Sequence, residues 1–362
     1  MTTDRQQLFS GTEEPPEYLL LDTIALGAYL KDIVDGLGTD FSAEKFRGGQ
    51  SNPTYKLTNN ITGATYVLRR RPPGELLDSA HDIEREFHVI SALAKASYPV
   101  PKPYHYCADE QIIGSSFYVV EYCSGRVFWN NDLPGLWNTD RAAIYEDMVT
   151  SLAQLHLIDY EAIGLGHLGR GGNYIQRNFS RWAKVYEQSK LTDIPDMDWL
   201  IGKLPDMMPK EEQTRLLHGD FGLYNIIIDA ERPRVSAVLD WEMSTLGDPF
   251  IDLAHHLRAW WEPVDDIGGA ASSLAGKDLE ELGIPTMDAY IEAYCRHYGI
   301  SEMPYRRFYL GYAQFRYAAM IQGILKRAAT GTASSRRVLH RQERVFEVAA
   351  LARRTLEGQH QA

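Results

Sequence analysis

One stretch constrains this chain more than any other: residues 216–254, LLHGDFGLYNIIIDAERPRVSAVLDWEMSTLGDPFIDLA. Ile226–Ile228 and Val235–Leu239 are short apolar runs that read as strands, and Ala230-Glu231-Arg232-Pro233 between them reads as a turn. Closing that hairpin sets the start of the first strand beside the end of the second. Asn225 and Asp240 then fall within a residue or two of each other. An amide oxygen and a carboxylate are hard ligands. Held on rigid strand ends beside a further carboxylate, they suit a magnesium ion carried by a nucleotide.

Length and composition narrow the remaining choices. A chain of 362 residues can bury a large core and is long enough for two lobes. The net charge of −12 argues against a nucleic-acid partner, which needs a basic face. No apolar run approaches the ~18 residues of a membrane span, and no export signal opens the chain. Cys107, Cys123 and Cys295 are odd in number and show no CxxC spacing, which points to a reduced, cytoplasmic setting without disulfides or a zinc knuckle.

Upstream, Asp22 opens a helix whose Leu26, Leu30, Ile33 and Leu37 keep 4-3-4 spacing on one face. FRGGQSNPTYKL, from Phe46 to Leu57, reads as strand, glycine turn, strand. There Gly48 and Gly49 let backbone amides approach an anion, and Ser51 and Asn52 add short donors. Thr65–Arg69 is a further strand ending in a cation. The next helix, read from an Asp78 cap to Leu93, places Ile83, Phe87 and Ile90 on one face. At ~100° per residue Glu86 sits at the edge of that stripe and can reach inward, while Arg85 projects away. Phe117–Tyr122 is an apolar strand, and a long amphipathic helix capped by Asp140 ends at the buried His156. Gly164-Leu165-Gly166-His167-Leu168-Gly169 matches GxGxxG, but no βαβ strand leads into it, so a dinucleotide fold is excluded. Arg177, Arg181 and Lys184 lie on nearby helix turns, a pattern that serves either a solvated face or contact with an anionic substrate. Asp248 reads as a helix cap and Asp252 as a brace. His255 and His256, adjacent on a helix, point ~100° apart and cannot chelate one metal together.

Together these residues resemble the aminoglycoside-phosphotransferase-like small-molecule kinases, relatives of the eukaryotic protein kinases. Asp220 and Asn225 keep the Asp-x4-Asn spacing of a kinase catalytic loop, with His-Gly-Asp for His-Arg-Asp and Asp-Trp-Glu for Asp-Phe-Gly. GGQSNPT, YVLRRRPPG, AHDIEREF, HGDFGLYN and VLDWEMSTLGDP are most similar to the kinase-like domain fused to, or encoded beside, acyl-CoA dehydrogenases. The resemblance implies an α+β, bilobal protein-kinase-like fold. Its N-terminal lobe, residues 1–123, would be an antiparallel sheet plus helix, and residues 124–362 a mostly helical lobe with the catalytic loop. It implies ATP and Mg2+ as cofactors, with Asp220 as the base and Asn225 and Asp240 as metal ligands. Gly48, Gly49, Ser51, Asn52 and Arg69 would hold phosphates, Glu86 would pair with Arg69, and the backbone of Glu121, Tyr122 and Cys123 would meet the adenine. Arg69 stands where most kinases carry Lys; the dehydrogenase-associated subgroup also tends to place Arg there.

The acceptor implied is a hydroxyl of a small metabolite, a hydroxyacyl-CoA or related hydroxy acid, with an acyl-CoA dehydrogenase as partner and no flavin chemistry in this chain. An aminoglycoside- or antibiotic-type kinase is the alternative of the same class. A nucleotide-binding pseudokinase that serves a dehydrogenase is the alternative from another. A cationic antibiotic needs an acidic acceptor pocket and CoA a basic one, so the charge around Asp220 separates the first two.

Overall fold

The computed structural model describes residues 5–48, 52–72, 82–262, 272–330 and 342–359. Gly49 and Ser51 of the glycine turn and the expected cap Asp78 lie outside the described residues. The chain forms two compact units. The first comprises Met1–Trp129, Glu161–Leu165 and Leu223–Ser244; the second Asn130–Tyr160, Gly166–Gly222 and Thr245–Ala362.

The first unit is built on an antiparallel sheet of β1 (Thr12–Glu13), β2 (Phe41–Phe46), β3 (Thr54–Asn59), β4 (Thr65–Arg70), β5 (Pro103–Cys107) and β6 (Phe117–Glu121), in the order β1-β2-β3-β4-β6-β5. Successive side chains on a strand point to opposite faces. Tyr55, Leu57, Leu68, Phe117 and Val119 therefore share one face, where they form a core with Leu26 and Leu30 of the helix Thr23–Leu30. Asp22 caps that helix by accepting from the N–H groups of Ile24 and Ala25. A second helix, Ile83–Lys95, packs on β5 and β6. Its cap is Asp82, which accepts from Arg85 N, and its buried residues include Ile83, Glu86, Ile90 and Leu93.

A smaller sheet, ordered β10-β9-β7, joins β7 (Arg126–Val127), β9 (Ile226–Ile228) and β10 (Val235–Val238). β9 and β10 pair antiparallel with Ile226 opposite Val238, and Leu239 N donates to Asn225 O over 2.8 Å. Asp229 closes the turn by accepting from the N–H groups of Glu231 and Arg232. The pairing of β7 with β9 draws both segments into the first unit. That unit thus runs through Trp129 and takes in 223–244, whereas the sequence suggested a boundary after residue 123.

The second unit is mostly helical. The helix Arg306–Ala329 is buried on most sides and packs against Tyr174–Ser189, Pro249–His256 and Gln342–Glu357. An interior helix of this kind needs apolar residues nearly all round rather than one stripe. The helix Asn138–Leu157 begins before the expected cap Asp140, which sits in its first turn. A two-stranded ladder pairs β8 (Arg215–Leu217) with β11 (Thr245–Gly247). The fold class is α+β, with the antiparallel sheet in the first unit and helices dominating the second. Among the described residues no helix is long and apolar enough to cross a membrane.

Gly125 makes the β7–β9 pairing possible. A Cβ there would meet Ile228 O at 2.3 Å and Ile227 Cγ2 at 2.5 Å. Gly125→Ala must push these segments apart and is expected to destabilise the protein by about 1–3 kcal/mol. The measurement is urea unfolding, with a lowered midpoint and an unchanged slope.

Candidate functional site

In the first unit the chemistry gathers around Arg69. Alternation along β4 sends its side chain to the face opposite Leu68. Arg70, one residue on, turns to the core side and lies over the Tyr55 ring, 5.6 Å from its centroid. Three carboxylates meet Arg69. Its Nε is 3.0 Å from Glu86 Oε2, and its Nη2 is 2.8 Å from Asp240 Oδ1 and 3.2 Å from Glu242 Oε2. The guanidinium fork suits this task, since one planar group offers donors along separate directions where an ammonium offers a point charge.

Each carboxylate comes from a different piece of local structure. Glu86 is on the buried side of the Ile83–Lys95 helix and is only 1% exposed. Asp240 follows β10 in left-handed backbone conformation, φ 63° and ψ 65°, which Asp tolerates better than most residues. Glu242 lies in the helical turn Trp241–Met243. Arg85, which the helical wheel turned away from the core, donates to the carbonyls of Glu242 and Ser244 and fastens that turn to the helix. Burial pulls the Arg69 guanidinium down, but Glu86 and Asp240 outweigh it and hold it above its ordinary value. For Glu86 burial wins over the opposing charge of Arg69, and its carboxyl is pushed above the usual range. Even with Glu86 protonated, Asp240 and Glu242 outnumber the one guanidinium between them.

The other residues expected at a nucleotide are placed as follows. Asn52 is buried and its Nδ2 donates to Glu242 Oε2 over 3.3 Å. Gly48 lies where a Cβ would come within 3.0 Å of the Trp129 ring, so close packing alone accounts for a glycine there. At the end of β6, Glu121 N donates to Lys102 O over 2.9 Å, so this one of the backbone groups of residues 121–123 expected to meet the adenine is engaged within the protein. Lys56 Nζ lies 5.0 Å from the centroid of the Tyr122 ring. Burial pushes the Cys123 thiol up to about 12, and it stays protonated at neutral pH.

In the second unit one helix holds the loop that carries Asp220. Asp252 Oδ2 accepts from His218 N over 2.7 Å, and its Oδ1 accepts from Gly219 N over 2.9 Å. Gly219 has φ +86°, a left-handed value that glycine adopts without a steric penalty. His256 Nδ1 lies 3.1 Å from Phe221 O, and its Nε2 lies 2.8 Å from the Tyr290 hydroxyl. His255 Nε2 lies 3.2 Å from Asp220 Oδ1. Asp252, His255 and His256 are spaced i, i+3 and i+4, so they share a helix face. They meet different atoms of the loop. Asp252 also faces His156 Nε2 at 3.2 Å. Burial would raise its carboxyl, but the His156 hydrogen bond and the His218 contacts outweigh this and hold it well below the usual carboxylate range.

Arg316, on the long helix Arg306–Ala329, was not anticipated. Its guanidinium lies over Trp182, 5.5 Å from the ring centroid. Its charge depresses His255 and acts on Tyr174 and Tyr312, where Arg181 acts as well. Among the described residues no carboxylate lies within ion-pair distance of Arg316 or Arg181. Arg177 donates to Gly172 O and Arg170 O and so ties down its own preceding loop, while Lys184 is exposed.

The antiparallel sheet with its buried Arg–Glu pair, the His-Gly-Asp loop and the Asn–Asp hairpin together define a kinase-like phosphotransferase fold. The chain belongs to the aminoglycoside phosphotransferase (APH) family: the model described as "Phosphotransferase enzyme family" matches residues 42–309. Mouse acyl-CoA dehydrogenase family member 10 is 42% identical over 86% of this chain, and human member 11 is 41% identical over 87%. The chain spans 29% and 40% of the length of these two relatives. A crystal structure from Ralstonia eutropha, named "a putative aminoglycoside phosphotransferase", is 40% identical, has a TM-score of 0.83, and is matched over 94% of this chain and 100% of that one. Choline kinase from Cryptosporidium parvum is 11% identical with a TM-score of 0.62, matched over 93% of this chain and 97% of its own. An aminoglycoside phosphotransferase in ternary complex with streptomycin and ATP is 16% identical with a TM-score of 0.57, matched over 93% and 99%. At such identities the last two show the fold alone.

Two stability measurements follow. Arg69→Met leaves its carboxylates without their cation, and breaking a buried pair in this way costs about 3–5 kcal/mol. A large fall in the urea midpoint is expected, reduced when Glu86→Gln is added. The second measurement concerns pH. Burial lowers His256 from 6.5 to about 4, so the unfolded chain binds its proton first as pH falls. The stability due to its neutral form is full above about 6.5 and lost progressively towards about 4. Asp248, raised by burial to about 6, titrates in the opposite sense, so a difference between variants is the proper readout. The stability gap between wild type and His256→Gln should shrink by on the order of 3 kcal/mol across that window.

Proposed function

We propose that this protein is an ATP- and magnesium-dependent kinase that phosphorylates a hydroxyl group on an anionic small metabolite, a hydroxyacyl-CoA or related hydroxy acid. The observation that carries the choice of acceptor is Arg316. It is a cation without a carboxylate partner among the described residues, and its charge acts on the histidine that touches Asp220. An acceptor with a negative group near its hydroxyl gains from that charge, whereas a polycationic antibiotic is repelled by it. The acyl-CoA dehydrogenase names of the relatives support the same class.

ATP supplies the phosphoryl group. Asn225 and Asp240 would hold the magnesium ion, and the site fits it: the donors are hard oxygens and the carboxylates outnumber the guanidinium. Among the described residues no three His, Cys, Asp or Glu side chains converge on one metal position. An ion held there by Asn225 and Asp240 would take its remaining ligands from phosphate and water oxygens. Arg69, kept cationic by Glu86 and Asp240, offers positive charge towards the phosphates. Asp220 takes the proton of the acceptor hydroxyl. Its loop is fixed from behind by Asp252 and His256, so little reorganisation is left for the reaction itself.

The direct test is ATP consumption across hydroxyacyl-CoAs, free hydroxy acids, amino alcohols and aminoglycosides. Activity confined to the cationic compounds would overturn the assignment, and ATP binding without any turnover would favour a pseudokinase. Asp220→Asn is expected to lower turnover by about 10²–10⁴ while magnesium-ATP affinity, read by calorimetry, stays at the wild-type value. Arg316→Glu should raise the acceptor KM at least about tenfold, equivalent to 1.4 kcal/mol, and leave the ATP KM alone. The acceptor effect should shrink as salt is added.

A further inference from the structure

We propose that His255 is a positioning residue for Asp220: its uncharged imidazole donates the Nε2–H to the carboxylate and fixes the direction in which that carboxylate faces the acceptor. The inference rests on the reading of Asp220 as the base. It is carried by the way the helix Pro249–His256 grips the loop. Four successive loop residues are held, each by a group on that helix. Asp252 takes the N–H groups of His218 and Gly219, His255 meets the Asp220 side chain, and His256 meets the Phe221 carbonyl. Of these contacts only the one from His255 bears on the side chain of Asp220 itself.

The surroundings of His255 decide its protonation. Its side chain is 14% exposed, against 36% for Asp220. Burial favours the neutral ring, Asp220 pulls the other way, and Arg316 and Arg258 add their repulsion; His256 faces it from the same helix, itself neutral. The balance lowers His255 to about 4. A neutral imidazole carries one N–H, and the nitrogen facing a carboxylate is the one that must carry it. Such a donor orients Asp220 without cancelling its charge. A cationic ring in the same place would form an ion pair and weaken the base. Arg316, with no carboxylate within ion-pair distance among the described residues, adds to the burial that keeps His255 neutral and leaves its charge available to an anionic acceptor, whereas Arg258 is paired with Glu262 Oε2 at 3.1 Å.

The test combines kinetics with a spectroscopic readout that needs no turnover. Long-range 15N–1H correlation of the imidazoles in the full chain should show His255 as the neutral Nε2–H tautomer at pH 7, with that preference weakened in Asp220→Asn. A cationic ring at pH 7, or an Nδ1–H tautomer, would overturn the proposal. His255→Leu should lower kcat by about 10- to 100-fold, the scale expected for a misdirected catalytic group, with the magnesium-ATP KM unchanged. His255→Gln, which can offer an amide N–H to the same oxygen, should recover most of that loss; a Gln variant as impaired as Leu would argue for packing alone. If wild type phosphorylates none of the acceptors, the kinase reading fails, while the tautomer measurement still decides the role of His255.

Discussion

The first unit depends on one arginine that meets three carboxylates. Arg69 sits at the junction of three segments distant in sequence: the strand that carries it, the helix of Glu86, and the hairpin that ends in Asp240 and Glu242. Moving these charges out of water is expensive, and the cost is offset only while all of them stay in register. The same guanidinium reaches Asp240, one of the two residues proposed to hold magnesium. This explains why Arg can stand where a Lys would be expected. Its fork engages Glu86 through one nitrogen and the hairpin carboxylates through another, which a lysine ammonium could do only by placing a single point charge among all three.

Much of this arrangement was legible in the sequence because it is local or periodic. The hairpin is short enough for its strand ends to fix Asn225 beside Leu239, one residue from Asp240. Glu86 lay at the edge of a helical stripe, and the structure buries it there. Other features depend on contacts that no periodicity encodes. Arg85 points away on a helical wheel, yet the Trp241–Met243 turn packs against its helix and offers two carbonyls. Asn52 was read as a phosphate donor, but it donates to Glu242, a residue far along the chain. Arg316 carries no local signal at all, being one arginine in a long buried helix.

His255 and His256, adjacent on one helix, point to different parts of the loop. Their divergence lets one face the Asp220 carboxylate while the other faces the Phe221 carbonyl. Asp252, three residues before His255, completes a single helical face directed at the loop. One helix thus holds backbone groups of His218, Gly219 and Phe221 and also meets the Asp220 side chain. Loops are ordinarily the variable part of a fold; this one borrows rigidity from a buried helix end.

In both units charge is grouped locally, around Arg69 in the first and around His255 in the second. A net charge of −12 would suggest a protein that repels anions everywhere. Around Arg69 the balance is indeed negative, as a site for a divalent cation requires, since an excess of carboxylate is what a metal neutralises. Around His255 both signs meet: Arg316 and Arg258 act on the ring, Arg258 is paired with Glu262 Oε2 at 3.1 Å, and Asp220 Oδ1 lies 3.2 Å from Nε2. Counter-ions and solvent screen the distant charges within about a Debye length, ~8 Å at physiological salt, so each site responds to its own neighbours rather than to the sum. The net charge of an acidic protein therefore does not by itself fix the sign of the potential at the Arg316 guanidinium.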